Sequence, residues 1–407
     1  MQSKQCVIIG GGPAGLMAAE QLTQSGYKVD LYDAMPTVGR KFLLAGLGGL
    51  NITHSEPYDA FCSRFAQHQS SLQSILDDFT PNALRQWCDG LGIETFIGTS
   101  GRVFPEAMKA APLLRTWLVR LRENGLTVHP KHRWLGWDEQ GKIILQSPKG
   151  ELKRSYDVLI LALGGGSWKK LGSDGQWVPL LQEQGVETAP LLPSNCGFLS
   201  AWSDHLIQHF AGSPLKSVAI RFTDIHGVEE KRMGEFIVTE RGVEGSLIYA
   251  FSARLREAIQ QQGNATFYLD VCPNHTAKQL KTILKAKPKN KTFSTFLKGK
   301  LKLDAAKRAL LFEVLPKQDL NNVDLLSNAL KNITITVSAT TPIDKAISTA
   351  GGVTTASLND QLMLKNKAGV FCAGEMLDWD APTGGYLLTA CMALGKRAGA
   401  SAVKWLG

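Results

Sequence analysis

The chain has 407 residues, 44% of them hydrophobic and 20% charged, which excludes a disordered or low-complexity protein and allows two or three domains with sizeable cores. Its seven cysteines (Cys6, Cys62, Cys88, Cys196, Cys272, Cys372, Cys391) are odd in number and form no CxxC pair, which argues against a disulfide framework or a zinc site and predicts a reducing, cytoplasmic setting. The net charge of +9 is concentrated: residues 276–308 hold eleven Lys/Arg against one acid, Asp304, so the rest of the chain is close to neutral.

Cys6-Val7-Ile8-Ile9 reads as a buried parallel strand that runs into Gly10-Gly11-Gly12-Pro13-Ala14-Gly15 and then an alanine- and leucine-rich helix ending near Gly26. Gly10 supplies the turn, Gly12 lets backbone N–H groups approach a pyrophosphate, and Gly15 lets helix and strand pack closely. The phosphates of a dinucleotide belong on the helix N-terminus, where free N–H groups and the macrodipole favour negative charge. A second strand over residues 28–32 delivers Asp33 about 20 residues beyond the glycines, where a ribose-binding acid belongs. A strand beginning at residue 6 predicts no secretory h-region, and no uncharged stretch reaches the roughly 20 apolar residues of a membrane span.

Residues 39–54 carry four glycines with Arg40 and Lys41, and read as an irregular loop wrapping phosphate and flavin edges, or as a flexible surface loop. Residues 56–130 read as mostly helical: Thr80-Pro81 is a cap followed by proline, and a helix from about Glu106 to Asn124 stops at Gly125. Short strands are expected around Trp134, around Ile143–Leu145 and across 153–163, with a turn at Pro148-Lys149-Gly150. The last of them closes on Gly164-Gly165-Gly166, so Gly164 brings backbone to the same cofactor. No second GxGxxG with a full βαβ unit follows, so a separate nicotinamide-binding domain is not visible.

The expected organisation is a discontinuous Rossmann-like α/β domain over residues 1–190 and 341–407, interrupted by a β plus helical insert at 191–340. Alternation in Ser217–Phe222 and Glu235–Val238 predicts antiparallel strands, and the basic part, about 275–310, looks helical on both sides of Pro288. The dinucleotide domain resumes in Gly369–Glu375, a buried strand ending in glycine and acid. Asp378–Tyr386 follows, and then a final helix from Leu387 to about Trp405, whose N-terminus would stabilise a reduced flavin.

With these islands in place the chain resembles the BaiN/RdsA-type NAD(P)/FAD-dependent oxidoreductases. The resemblance is carried by GGGPAG at 10–15, GRKFLLAGLGGLN at 39–51, GRVFPEA at 101–107, ALGGGS at 162–167, AGGV at 350–353 and GVFCAGEMLDWDAPTGGY at 369–386. It implies a discontinuous FAD domain with a β-barrel-like and helical insert. It also implies FAD contacts at Gly10, Gly12, Pro13, Ala14, Gly15, Asp33, Arg40, Lys41, Asn51, Gly374, Glu375, Gly384, Gly385 and Tyr386. Members commonly have Gly-Arg-Cys-Asn where this chain has Gly48-Gly49-Leu50-Asn51, which points to a distinct subfamily and another substrate.

The expected function is a flavin-dependent oxidoreductase in which NAD(P)H, a transient donor, reduces FAD and the flavin passes hydride to an activated C=C bond. The resemblance implies either a small unsaturated compound or a uracil ring of ribosomal RNA as acceptor, and the Lys-rich 278–308 segment is the candidate RNA contact. A non-catalytic FAD-binding sensor and an NAD-binding dehydrogenase are the competing classes. No catalytic acid is identified. His54 and Tyr386 are the proton-donor candidates, while Cys372 and Cys391 read as inert small hydrophobes.

Overall fold

A computed structural model describes residues 4–46 and 48–407. Residues 1–3, ahead of the first strand, and Leu47, within the glycine-rich 39–54 stretch, lie outside the described residues. The chain forms two compact units, one from residues 1–193 and 343–407 and the other from residues 194–342.

The first unit is built on a five-stranded parallel sheet in the order Val370–Cys372, Val158–Leu161, Cys6–Ile9, Val29–Asp33, Leu126–Pro130. Every residue of Cys6–Ile9 and Val158–Leu161 is buried, which is why these strands are continuous apolar runs without polar alternation. The chain departs from Cys6–Ile9 toward Val29–Asp33 on one side, and Val158–Leu161 lies on the other. The carboxyl ends of the central strands therefore sit at a topological switch point, where open α/β sheets bind ligands. Helix Pro13–Gln24 packs along the C-terminal helix Tyr386–Leu406 through small residues: a methyl group on Gly395 would lie 2.2 Å from the Ala14 carbonyl oxygen.

Several local expectations needed correction. The glycine-rich stretch contains a short helix, Arg40–Ala45, because Gly39 takes a left-handed φ of 70° at its N-cap and Phe42 is buried. It also contains a strand, Thr53–His54, which joins Thr95–Ile97 and Arg102–Pro105 in a small antiparallel sheet. Those two partner strands interrupt the segment expected to be mostly helical; they are joined by a turn in which Gly98 N–H donates to Arg102 O at 2.8 Å. The helix expected from Glu106 starts at Ala110, because Met108 N–H closes a turn onto Pro105 O and Met108 has φ 56°. The single strand expected across 153–163 is two: Gly150–Arg154 pairs in a separate antiparallel sheet, and Val158–Leu161 enters the parallel one.

The second unit carries a seven-stranded antiparallel sheet. Its order is Ile333–Val337, Ala265–Asp270, Pro214–Thr223, Glu229–Thr239, Gly242–Glu244, Phe198–Leu199, Ala339–Thr340. The two end strands are separated in sequence by Ser338 alone, whose N–H donates to Leu199 O at 3.0 Å, so the sheet rolls round on itself as a barrel-like element. The basic segment forms helices Ala277–Lys285 and Phe293–Lys300, with Pro288 between them, and runs into Ala305–Val314.

Candidate dinucleotide site

The turn after Cys6–Ile9 has the three glycine roles that the spacing demands. Gly10 has φ +103°, and a methyl group there would meet Ala162 O at 2.2 Å; glycine lets the ends of two parallel strands touch. Gly12 is the N-cap of Pro13–Gln24, and the space its side chain would fill is open to 4 Å. Gly15 lies against the turn itself, its missing methyl 1.9 Å from Gly10 O. The first turn of the helix has no acid, so its positive end is uncompensated.

Asp33 ends the neighbouring strand and accepts from Gly11 N–H at 2.7 Å and from Met35 N–H at 2.8 Å. Burial raises its pKa, outweighing those two hydrogen bonds and the charges of Arg40 and Arg133. Lys41 Nζ donates to both oxygens of Glu375, at 2.7 and 2.8 Å, and to Ser167 Oγ at 2.7 Å, while Glu375 also accepts from Thr349 N–H at 3.1 Å. One ion pair thus ties together three segments that sequence reading treated as separate glycine islands.

Gly10, Gly12, Asp33, Lys41 and Glu375 line a cleft of about 320 Å³, at the lower end of the range of ordinary ligand sites. Of the residues expected to bind the cofactor, Gly10, Gly12, Pro13, Ala14, Asp33, Arg40, Lys41, Gly164 and Glu375 line it. Gly15, Asn51, Gly374, Gly384, Gly385 and Tyr386 are not in its lining. The Asn51 amide donates to Thr53 O and Val103 O, and the space beside Gly374 is taken by Ala14. Gly384 and Gly385 have φ +134° and +94°, and a methyl group on Gly385 would sit 2.5 Å from Thr53 Cα. The Tyr386 hydroxyl donates to Glu56 at 2.5 Å, Glu56 also takes Arg64 Nη2 at 2.6 Å, and the Tyr386 ring stacks on His54 at 5.5 Å. Burial, first, and the Glu56 carboxylate, second, push the Tyr386 pKa up, which makes it a poor proton donor in this arrangement. His54 Nδ1 accepts from Glu56 N–H at 3.1 Å and Nε2 lies 3.1 Å from Ser100 O. Cys391 lines the cleft and Cys372 is buried; burial raises both thiols, and neither is an activated nucleophile.

Sequence reading missed the part of the lining formed by His132–Leu135 and by residues 171–174, 176 and 177. Arg133 is held there by Asp174 at 2.8 Å and Gln176 at 3.2 Å, and Trp177 Nε1 donates to Gly164 O at 2.9 Å. The available signal was the pair Gly172 and Gly175 flanking Ser173-Asp174, both with φ above 60°. Three of the residues lining this cleft each carry a fully buried side-chain polar atom with no hydrogen-bond partner in the protein: Arg40 Nε, Trp134 Nε1 and Ser173 Oγ. Among the described residues the one other such side-chain atom is Arg120 Nε. The open space over Gly12, at an acid-free helix N-terminus, fits the pyrophosphate of FAD, and the Asp33 carboxylate at the cleft edge fits its ribose hydroxyls.

A family model described as the HI0933-like protein Rossmann domain matches residues 4–401. The chain is 25% identical to a Clostridium scindens protein named 3-dehydro-bile acid delta(4,6)-reductase, with 98% of each chain covered. It is 24% identical to a Haemophilus influenzae protein named ribosomal RNA dihydrouridine synthase, with 95% of each covered. Among solved structures, the open conformation of a flavocytochrome c3 fumarate reductase aligns with a TM-score of 0.54 at 16% identity, covering 99% of this chain and 78% of that one. A 3-ketosteroid delta1-dehydrogenase from Sterolibacterium denitrificans aligns with a TM-score of 0.52 at 12% identity, covering 99% and 100%. At such identities the likeness to the solved structures is one of fold. Among the described residues no helix is long and apolar enough to cross a membrane.

Proposed function

The chain belongs to the HI0933-like Rossmann family of flavoprotein oxidoreductases, and from that premise we propose that it is an FAD-dependent reductase that draws on NAD(P)H and saturates an activated C=C bond of a small unsaturated compound. The observation that carries the cofactor is the cleft at the switch point of the parallel sheet, with Gly12 open beneath it and Asp33 at its edge. The acceptor class is supported by the names of the two relatives, since a delta(4,6)-reductase and a dihydrouridine synthase both saturate carbon–carbon double bonds.

Bound FAD supplies the hydride chemistry. The protein's part is to hold the cofactor and exclude competing reactions. The uncompensated N-terminus of Pro13–Gln24 attracts the pyrophosphate, and Asp33 accepts from ribose hydroxyls with the lone pairs left free by Gly11 and Met35. The Lys41–Glu375 pair braces the cleft. Asn51, Gly374, Gly384, Gly385 and Tyr386 act in this reading by shaping the site's supporting shell.

The test is anaerobic. The purified protein should be yellow, release FAD on denaturation, and bleach with NADH or NADPH; an enone should then restore the colour. NAD in the denatured supernatant, or a chromophore indifferent to both donors, would overturn the reading.

A second reading, reduction of uridine in ribosomal RNA, is favoured by one feature. Lys278, Lys285, Lys289, Lys291, Lys298, Lys300 and Lys302 are all exposed, while Phe296, Leu297, Leu301 and Leu303 of the same segment are buried. Such a surface offers charge for a phosphate backbone. Lys287 is different: its ammonium donates to Lys291 O at 2.7 Å and sits 4.6 Å from the Phe293 ring centre, fixing the connecting loop. Replacing Lys285, Lys289, Lys291 and Lys298 with glutamine should therefore flatten the salt dependence of RNA binding and leave flavin content unchanged. Negligible RNA affinity at low salt, with unaltered dihydrouridine in the ribosomal RNA of a deletion strain, would leave the small-molecule reading alone.

A further inference from the structure

We propose that a second cavity of the first unit binds a small organic cation with an apolar body, and that Asp378 recognises its charge. The cavity holds about 270 Å³, just below the range of drug-sized ligand sites, and no residue lines both it and the dinucleotide cleft. It lies among helix Gln69–Asp78, the turn at residues 358–362, the segment Leu377–Trp379 and the C-terminal helix Tyr386–Leu406. Leu72, Ile75, Leu358, Leu377, Trp379 and Leu394 of its lining are buried, so the body of a ligand there would leave water for apolar surroundings.

The charged side chains of the lining are Arg397, Asp360 and Asp378, and only the arginine is matched within the protein. Arg397 Nε and Nη2 donate to Asp78 Oδ2 at 2.9 and 2.6 Å, Nη2 also to Ser74 O at 2.8 Å, and Nη1 to Asp360 O at 3.3 Å. These bonds neutralise the guanidinium and tie the two helices to the turn, which holds the cavity walls in place. Asp378 is fixed through its backbone: its N–H donates to Val353 O at 2.9 Å, and the neighbouring Trp379 Nε1 donates to Gly374 O at 2.9 Å. Its carboxylate accepts no hydrogen bond. The fully buried, unpartnered side-chain atoms among the described residues belong to Arg40, Arg120, Trp134 and Ser173, so the half-buried Asp378 carboxylate stays within reach of solvent and of a ligand. Burial raises its pKa, His68 opposes that shift and Asp380 adds to it. An ionised carboxylate only accepts and an ammonium only donates, so each completes the other; the exposed Asp360 adds a second negative charge to the lining.

This inference does not depend on which dinucleotide the cleft holds. The full chain with its native cofactor bound should be titrated with benzylammonium, benzyl alcohol and benzoate, which share one apolar body and differ in charge, with binding read by ligand-detected NMR. Benzylammonium should bind about tenfold more tightly than the alcohol, and benzoate more weakly than either. Asp378→Asn keeps the size and removes the charge; it should bring benzylammonium down to the level of the alcohol and leave the alcohol's affinity and the flavin content unchanged. Ser74→Lys, which adds a cation at an exposed position of the lining, should weaken benzylammonium and favour benzoate, and it decides the matter should Asp378→Asn fail to fold. Equal affinities for the three probes in the native protein, a preference for the cation that survives the substitutions, or flavin released in step with benzylammonium binding would each overturn the proposal.

Discussion

The chain carries two glycine turns at helix N-termini, Gly10–Gly15 before Pro13–Gln24 and Gly384–Gly385 before Tyr386–Leu406, and they use glycine for different ends. At Gly12 the missing side chain leaves open space over the cleft; at Gly385 it makes room for Thr53 backbone at 2.5 Å. The first turn is left accessible to a ligand, while the second is closed on the protein and locked by Tyr386, Glu56 and Arg64. A glycine in sequence reports that something comes close. Whether that something is a ligand or the chain's own backbone depends on what the fold brings there.

The contrast can be broken most directly at Gly385. Gly385→Ala combines a left-handed backbone with a backbone collision, and should cost about 3 kcal/mol or more of stability, read as a lowered denaturant midpoint in ligand-free protein. A midpoint equal to the native one would mean that the turn opens as freely as the first.

Asp33 is next in size. Because its carboxylate holds Gly11 and Met35 N–H groups as well as facing the cleft, Asp33→Ala would disturb the turn itself, and Asp33→Asn is the cleaner probe. FAD affinity should fall by about 1.5–3 kcal/mol, followed by flavin release on dialysis. Full flavin retention would remove Asp33 from the ribose site.

Gly12→Ala sharpens the comparison from the open side. Its φ of −81° is ordinary and nothing obstructs a methyl group, so ligand-free stability should change by less than about 1 kcal/mol. FAD affinity should drop roughly tenfold, because the methyl stands where the pyrophosphate approaches. Equal losses of stability and affinity would erase the distinction between the two turns.

The smallest effect concerns the lock on the closed turn. Burial pushes Glu56 up, but hydrogen bonds from Arg64 and Tyr386 and the Arg64 charge outweigh it and hold the carboxyl below its ordinary range. A depressed folded pKa contributes stability that is present above the unfolded value, about 4.3, and lost as pH falls through the folded one. Glu56→Gln should therefore lower stability at neutral pH and flatten the acid limb below about pH 4, with FAD affinity at neutral pH unchanged. A pH profile identical to the native one would show that Glu56 does not hold the turn.

What the sequence determined by itself is what consecutive residues can encode. Strand Cys6–Ile9, Gly10–Gly15, helix Pro13–Gln24 and Asp33 form one local unit whose backbone demands are written in adjacent positions, and nine of the expected cofactor residues line the cleft. Apolar runs without alternation likewise mark the buried parallel strands. The rest was decided by pairings across long separations. Lys41 meets Glu375 across 334 positions, Tyr386 meets Glu56 across 330, and Arg133 reaches Asp174 from a separate three-stranded sheet. Asn51 could have faced a ligand as well as Thr53 and Val103, and nothing in its neighbours along the chain distinguishes the two. A side chain's hydrogen-bonding capacity is a property of the residue, but its partner is whichever group the packed strands and helices bring within 3 Å, and only the tertiary structure supplies that.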